Sequence, residues 1–311
     1  MKLAMVFPGQ GSQSIGMVRR YEGLPGVDDV RAQAAAVLGQ EFISLLDEGP
    51  AESLGMTLNT QPAMVTAGFA AYRAWIGLGG PHPEVVAGHS LGEYTALVAA
   101  EALTFADCLP LVRHRAGAMQ RAVPAGEGAM AAILNLDDES VRAACADAAQ
   151  GQVVEAVNFN GPGQVVIAGN KDAVARAMEG CKARGAKRAV SLPVSAPFHS
   201  SLMQPAAAAL KTYLEGVNLR TPAIAVINNA DVSMQSEPAA IKDALVRQAA
   251  SPVRWVETIN RMAEMGVTHV LECGPGKVLA ALTKRINPGV QGYALADRAA
   301  LEQALAAVRA A

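Results

Sequence analysis

Gly88-His89-Ser90-Leu91-Gly92 is the stretch on which the reading of this chain turns. Apart from Glu84, residues 84–87 before it are apolar, with β-branched Val85 and Val86, and residues 91–102 after it are rich in Ala and Leu and read as a helix. Strand, G-x-S-x-G and helix together form the setting of a nucleophile elbow. The turn is so tight that its flanking positions must be glycine, which leaves the Ser90 hydroxyl at its apex. The N–H of Leu91, at the helix start, faces the same space and can stabilise an oxyanion. The alternative, a helix N-cap serine, needs only the serine and leaves Gly88 and Gly92 unexplained.

Outward from this turn, composition fits an α/β enzyme. A chain of 311 residues can bury a large core in one to three domains. Hydrophobic residues make up 51% and mean hydropathy is +0.21, so membrane insertion has to be weighed. No uncharged apolar run reaches the roughly 18 residues of a spanning helix, and no membrane partner is expected. A net charge of −2 and a pI near 6.2 give no support to nucleic-acid binding. Residues 1–7 run straight into Pro8-Gly9 and read as a first strand, without a signal peptide's apolar region or cleavage site. Cys108, Cys145, Cys181 and Cys273 are scattered with no metal-ligand spacing. Reduced thiols, a cytoplasmic setting and no metal are expected.

The loop Pro8-Gly9-Gln10-Gly11-Ser12-Gln13 follows the first strand, residues 3–7, where open α/β sheets bind ligands. Its backbone N–H groups are therefore well placed for a site, although an ordinary strand-to-helix turn reads the same way. Residues 14–57 read as short helices and loops, 60–78 as a helix, and 105–122 as a second helix containing Pro110. Arg115 and Met119 lie four apart in that helix and share a face, which suits a pocket wall. A solvated arginine beside a core methionine fits the same pattern. Strands at 129–135, 153–158, 164–168 and 187–192, with helices at 138–149 and 171–184, follow in the order β-α-β-β-α-β, the ferredoxin-like split unit. This predicts a small α+β domain at 126–195 inserted into a large α/β domain of 1–125 and 196–311. After it come a strand at 223–228, helices near 238–250 and 254–265, a strand at 269–273 leading into Gly274-Pro275-Gly276, a strand at 290–294 and a terminal helix.

A nucleophilic serine needs a base within hydrogen-bond reach. The five histidines are His82, His89, His114, His199 and His269. His82 lies at the wrong end of the elbow strand, and His89, as the serine's neighbour, points away from it. His114 sits in the Arg-rich helix and reads as solvated, and His269 reads as structural. His199 follows the Pro-fixed loop Pro193-Val194-Ser195-Ala196-Pro197-Phe198, at the seam between the predicted domains, and is chosen on that placement. The group that fixes its tautomer stays open between Asp231, Glu272 and a main-chain carbonyl.

Taken together, these pieces resemble the malonyl-CoA:acyl carrier protein transacylases of fatty-acid synthesis, over nearly the whole chain. The resemblance rests on Phe7-Pro8-Gly9-Gln10-Gly11-Ser12-Gln13, the elbow with Glu93-Tyr94, Arg115 with Met119, Asn158-Phe159-Asn160, Phe198-His199, Pro252-Val253-Arg254-Trp255 and Glu272-Cys273-Gly274-Pro275-Gly276. It implies a hydrolase-like α/β core with a parallel sheet and a ferredoxin-like insert. It implies Ser90 as nucleophile, His199 as general acid/base, and the N–H groups of Gln10 and Leu91 as the oxyanion hole. Arg115 would pair with the malonyl carboxylate, Gln248 would offer its main-chain carbonyl to His199, and Asn160, Met119 and Phe198 would line the substrate pocket. The implied partners are malonyl-CoA and acyl carrier protein, with a monomeric cytoplasmic enzyme that needs no cofactor of its own.

Other readings compete. The elbow alone allows a serine hydrolase such as an esterase, but Arg115 and a mid-chain His199 argue against it. A catalytically silent carrier-binding module would not need Ser90 and His199 intact. A discrete acyltransferase of a polyketide pathway would carry the same site. An acidic carrier requires a local basic patch, for which Lys182, Arg184, Lys187 and Arg188, or Lys284 and Arg285, are candidates.

Overall fold

The computed structural model describes residues 1–194 and 196–310. Ser195, in the predicted seam loop and at the predicted domain boundary, lies outside the described residues. Among the described residues nine strands form two sheets: β1 (Leu3–Phe7), β2 (Val85–Gly88), β3 (Gly128–Leu134), β4 (Val154–Gly161), β5 (Gln164–Asn170), β6 (Arg188–Ser191), β7 (Ala225–Ile227), β8 (His269–Glu272) and β9 (Gln291–Ala294).

The first sheet is parallel throughout, in the order β7-β2-β1-β8-β9. Its central strands are uniformly apolar because both faces are covered. Met5, Phe7, Val86 and Leu271 pack on one side against helices that include Thr57–Gly77, Gly92–Ala99 and Phe105–Arg121. The alternate residues Ala4, Val6, Val85, Ala87 and Val270 pack on the other against helices Trp255–Glu264 and Val278–Ile286. This alternation is the pleat period of two expressed as two cores. The carboxyl ends of β1 and β2 therefore open side by side at one edge, and the loops following them form the floor of the site.

The second sheet is antiparallel, in the order β4-β5-β3-β6, which is the strand order of the predicted split unit. Ala131, Ile133, Val165 and Ile167 face the helices Asp138–Ala149 and Lys171–Ala183. Met130, Val157, Val166 and Ala168 face the other way, toward Leu192, Val194 and Phe198. A parallel bridge between Asn158 and Val253 joins the two halves, with Val253 N–H donating to Val157 O at 2.8 Å and Phe159 N–H to Val253 O at 3.0 Å. That bridge explains one departure from the sequence reading. β4 runs on to Gly161 instead of turning at Asn160, because residues 158–160 keep an extended partner. The turn shrinks to Pro162-Gly163, with Gly163 at φ 66°. Residues 14–57 contain helices Val27–Leu38, Gln40–Glu48 and Ala51–Gly55, and the next helix begins at Thr57, three residues ahead of the predicted start.

Candidate active site

Ser90 lies two positions past the end of β2 and has φ 52°, in the left-handed region that non-glycine residues rarely occupy. Both flanking glycines are sterically required: a Cβ on Gly88 would run into the Gly92 backbone, and one on Gly92 into the carbonyl of Phe7. The elbow is thus pressed against the end of β1, and Gly9 is held the same way, since its Cβ would meet His89 O at 2.8 Å. Gly92–Ala99 is the helix that starts at the elbow. The N–H groups of Leu91 and Gln10 take part in no hydrogen bond among the described residues.

His199 also has a left-handed backbone, φ 66°, and is buried. Its Nε2 lies 2.6 Å from Ser90 Oγ, and its Nδ1 lies 2.9 Å from the main-chain oxygen of Gln248. A carbonyl only accepts, so Nδ1 carries the proton and Nε2 is left as the acceptor for the serine hydroxyl. The open question of the third group is answered by this carbonyl. Asp231 instead pairs with Arg247, and Glu272 accepts the Ala280 N–H at 2.9 Å. Burial, reinforced by the Arg115 charge, pushes the His199 pKa down to about 3, so the imidazole is neutral at physiological pH.

Arg115 is 2% exposed. Its Nη1 donates to Gln61 Oε1 at 3.0 Å, and its Nη2 to Gln248 Oε1 at 3.0 Å and Ser90 Oγ at 3.2 Å. Its Nε is buried without a partner, and its guanidinium lies over the Tyr94 ring, 5.3 Å from the centroid. Each of these three hydrogen bonds goes to a neutral oxygen. Burial lowers its pKa, with Tyr94 and Glu93 acting in the opposite direction, and a guanidinium remains charged under these conditions. The solvated reading of this arginine is excluded, whereas Arg113 on the opposite face is exposed.

These groups surround a cavity of about 130 Å³, which Met119, Phe198, Met130, Leu192 and Val194 wall on the apolar side. Gln10, Ser90, Arg115, Met119, Phe198 and His199 all face it. Asn160 reaches it only through His89, whose Nε2 lies 2.7 Å from Asn160 Oδ1. The asparagine of the wall is Asn158, whose Oδ1 is buried without a partner, because β4 shifts register between Ala156 and Asn158 and again between Phe159 and Gly161. The Gln248 side chain is as engaged as its carbonyl. Its Nε2 donates to Ser90 O and to Glu93 Oε2, both at 2.9 Å.

Three buried polar residues went unread in the sequence. Gln61 bridges Gln10 and Arg115, Glu93 binds Gln248 and the Asn229 N–H, and Asn229 holds the elbow itself. Glu93 was the one with a signal, since a carboxylate three residues past the serine sits in the first turn of a helix that is buried all round. Burial pushes its pKa up to about 7. His114 is not the solvated side chain expected: its ring stacks on Tyr213 at 4.2 Å and its Nε2 is buried without a partner.

Among the described residues no three or more His, Cys, Asp or Glu side chains gather as a metal site, and no helix is long and apolar enough to cross a membrane. The chain matches the acyl transferase domain family over residues 4–298. It is 52% identical over 305 residues to the malonyl CoA-acyl carrier protein transacylase of Escherichia coli strain K12, spanning 98% of this chain and 99% of that protein. To the protein of the same name from Bacillus subtilis strain 168 it is 44% identical over 306 residues, or 98% and 96% of the two chains. An acyl-carrier-protein S-malonyltransferase structure from Burkholderia pseudomallei matches with TM-score 0.96 and 59% identity, over 98% of this chain and 100% of that one. A malonyl-transacylase in complex with its type II PKS acyl-carrier protein matches with TM-score 0.96 and 49% identity, over 99% and 100%.

Proposed function

The chain belongs to the acyl transferase domain family, and from that premise we propose that it moves a malonyl group from malonyl-CoA to the phosphopantetheine thiol of an acyl carrier protein through a malonyl-Ser90 intermediate. The observation that carries this reading is the Ser90–His199–Gln248 carbonyl relay with the Arg115 guanidinium 3.2 Å from the nucleophilic oxygen. In malonyl-Ser90 one methylene separates the ester carbonyl from the carboxylate. A cation this close to Oγ is at the right range for the single carboxylate of so short a chain and would hold it through two parallel N–H···O bonds.

In the first half-reaction Ser90 Oγ attacks the thioester carbonyl and its proton passes to His199 Nε2. The negative oxygen of the tetrahedral intermediate is received by the N–H groups of Leu91 and Gln10. The C–S bond then breaks, and Nε2 returns the proton to the coenzyme A sulfur. In the second half the carrier's thiol gives its proton to Nε2 and its sulfur attacks the same carbonyl. The C–Oγ bond breaks and Ser90 takes the proton back. The Gln248 carbonyl holds the imidazole in the required tautomer throughout. Met119, Phe198 and Asn158 shape the acyl pocket, with Asn160 acting behind His89. No cofactor of the enzyme's own enters these steps.

We assign the large unit to 1–125 and 196–311 and the small one to 126–195; separate buried cores under the two sheets support this division. We further assign the enzyme to type II fatty-acid synthesis, as a cytoplasmic monomer. The polyketide reading draws its support from the solved malonyl-transacylase bound to a type II PKS carrier. The deciding test of the activity is intact-mass detection of a malonyl adduct, its discharge by holo carrier protein, and its comparison with acetyl-CoA and methylmalonyl-CoA. Ester hydrolysis without thioester transfer would overturn the assignment in favour of a hydrolase.

Two further outcomes are expected. The active form of His199 is the neutral one, and a pKa depressed to about 3 keeps it neutral as pH falls through the ordinary 6.5. The kcat/KM for malonyl-CoA should therefore show no acid limb near 6.5 that belongs to His199. Glu93 titrates near 7, so the profile is to be taken in Glu93→Gln as well; a limb near 6.5 persisting in that variant would mean His199 is solvated in the working enzyme. For the carrier, Lys182 is paired with Glu179, Arg184 with Asp147, and Arg285 is tied to Gln164 and Pro162. Lys187, Arg188 and Lys284 remain exposed for an acidic partner. Reversing Lys284 or Arg188 to Glu should raise KM for the carrier several-fold and leave malonyl-CoA kinetics unchanged. Equal effects on both substrates would remove these residues from docking.

A further inference from the structure

We infer that Asn229 is a positioning residue for the nucleophile: its side-chain amide stands in for a missing strand residue and fixes the peptide that aims Ser90. This deepens the proposed function and rests on Ser90 being the nucleophile.

β2 pairs in parallel with β7 through Val85–Ala225, Val86–Val226 and Ala87–Ile227, and there the ladder stops. Continued, the register would set Asn229 opposite His89. In a parallel ladder one residue answers two groups on the facing strand, the carbonyl before and the N–H after its opposite number. For His89 those groups are Gly88 O and Ser90 N–H. Neither meets a main-chain partner from β7, because the chain leaves the sheet plane to form the elbow. The Asn229 carboxamide meets both: Nδ2 donates to Gly88 O at 2.7 Å, and Oδ1 accepts the Ser90 N–H at 2.6 Å. A carboxamide has the donor and acceptor of a peptide group, so it reproduces the rung that the backbone cannot.

The mount is rigid. Asn229 is fully buried, its own N–H donates to Glu93 Oε2 at 2.8 Å, and the turn behind it is closed by Asn228 N–H on Ser233 O at 3.0 Å. The opposite side of the elbow is held by His89 N–H on Phe7 O at 2.9 Å. With both sides tied, the plane of the 89–90 peptide is set, and with it the left-handed φ of Ser90 and the direction of its hydroxyl toward His199. The same bond takes the Ser90 N–H out of the site, so the Leu91 N–H is the one presented to a developing oxyanion. Asn229 does not line the cavity, so its effect passes through Ser90 rather than through the substrate.

The test uses the full chain with Asn229→Ala and the isosteric Asn229→Asp. Acylation by malonyl-CoA is followed by rapid-quench intact mass, and Ser90 reactivity by phenylmethanesulfonyl fluoride, a small neutral electrophile with no carboxylate for Arg115. Both are read well below each variant's unfolding midpoint. The acylation rate should fall roughly 10–100-fold while KM for malonyl-CoA changes by less than about threefold. Sulfonylation should fall by a similar factor. The aspartate variant keeps an acceptor for Ser90 N–H but sets a second oxygen against Gly88 O, so it should fall too, and it decides the matter if the alanine variant does not fold. Folded variants that are acylated and sulfonylated at the parent rate, or that change only KM, overturn the inference. A parent enzyme that is sulfonylated at Ser90 yet takes no malonyl group would instead overturn the proposed substrate and leave the role of Asn229 standing.

Discussion

The Ser90→Ala variant is expected to fold like the parent and to lose malonyl-enzyme formation by roughly 10⁴–10⁶-fold, the usual cost of removing one member of a unit that acts together. The loss is large because, among the described residues, Ser90 is the one nucleophile hydrogen-bonded to the base: His199 Nε2 has Ser90 Oγ at 2.6 Å, and the four cysteines are buried and raised in pKa by desolvation. The fold should survive because the elbow is held by main-chain and Asn229 contacts that do not use the hydroxyl. Alanine at φ 52° costs about 1–2 kcal/mol relative to a relaxed backbone, a strain serine already bears there. Stability should thus change little, apart from two lost hydrogen bonds, those to His199 and from Arg115. Intact mass after incubation with malonyl-CoA and a thermal unfolding curve check both halves. A stable malonyl adduct on the alanine variant would place the nucleophile elsewhere.

What could be read in the sequence follows from how local each contact is. Gly88 and Gly92 announce the elbow because the constraint that demands them lies within five residues and the adjoining strand end. The two sheets were legible from period: uninterrupted apolar runs in β1 and β2, and a β-α-β-β-α-β rhythm in the second unit. His199 could be chosen only by placement, since it stands 109 positions after Ser90 and the chain between them carries no pattern that links the two. Asn229 and Gln61 had no signal at all. Each makes its contacts across 51 or more positions of chain, and an amide in a helix or after a strand reads as a solvated side chain until a partner is seen. Gln248 was identified for its carbonyl, which any residue could supply. That its side chain also binds Arg115, Glu93 and the Ser90 carbonyl explains why glutamine in particular stands there. His114 was misread because an arginine on each side suggests solvent, whereas a helix turns 100° per residue and alternates faces.

Arg115→Ala is expected to slow malonyl transfer by roughly 10²-fold or more and acetyl transfer far less. A hydrogen bond to a charged group contributes about 1.5–3 kcal/mol, and each 1.4 kcal/mol is tenfold in rate. Two parallel bonds to a carboxylate therefore account for a hundredfold without further assumption. The buried state of the fork strengthens the case. Its hydrogen bonds go to the neutral oxygens of Gln61, Gln248 and Ser90 and its face lies on the Tyr94 ring, while Glu93 acts on it only through space; with no carboxylate paired to it directly among the described residues, the charge stays under-compensated until an anion arrives. An acetyl group brings no anion, so the enzyme gains nothing from the guanidinium in transferring it, and acetyl transfer could even rise in the alanine variant. Arg115→Lys should recover only part of the malonyl rate, since an ammonium on a flexible stem cannot reproduce the planar fork. Removing the arginine also frees Gln61 Oε1 and Gln248 Oε1, and Gln248 touches the Ser90 carbonyl, so some loss common to both substrates is built in. Sulfonylation of Ser90 by the neutral probe measures that common loss, and the malonyl-to-acetyl ratio of kcat/KM, taken in the parent and both variants, reports selectivity free of it. Equal proportional losses for malonyl-CoA and acetyl-CoA would show that Arg115 supports the scaffold around Ser90 and that carboxylate recognition resides in another residue.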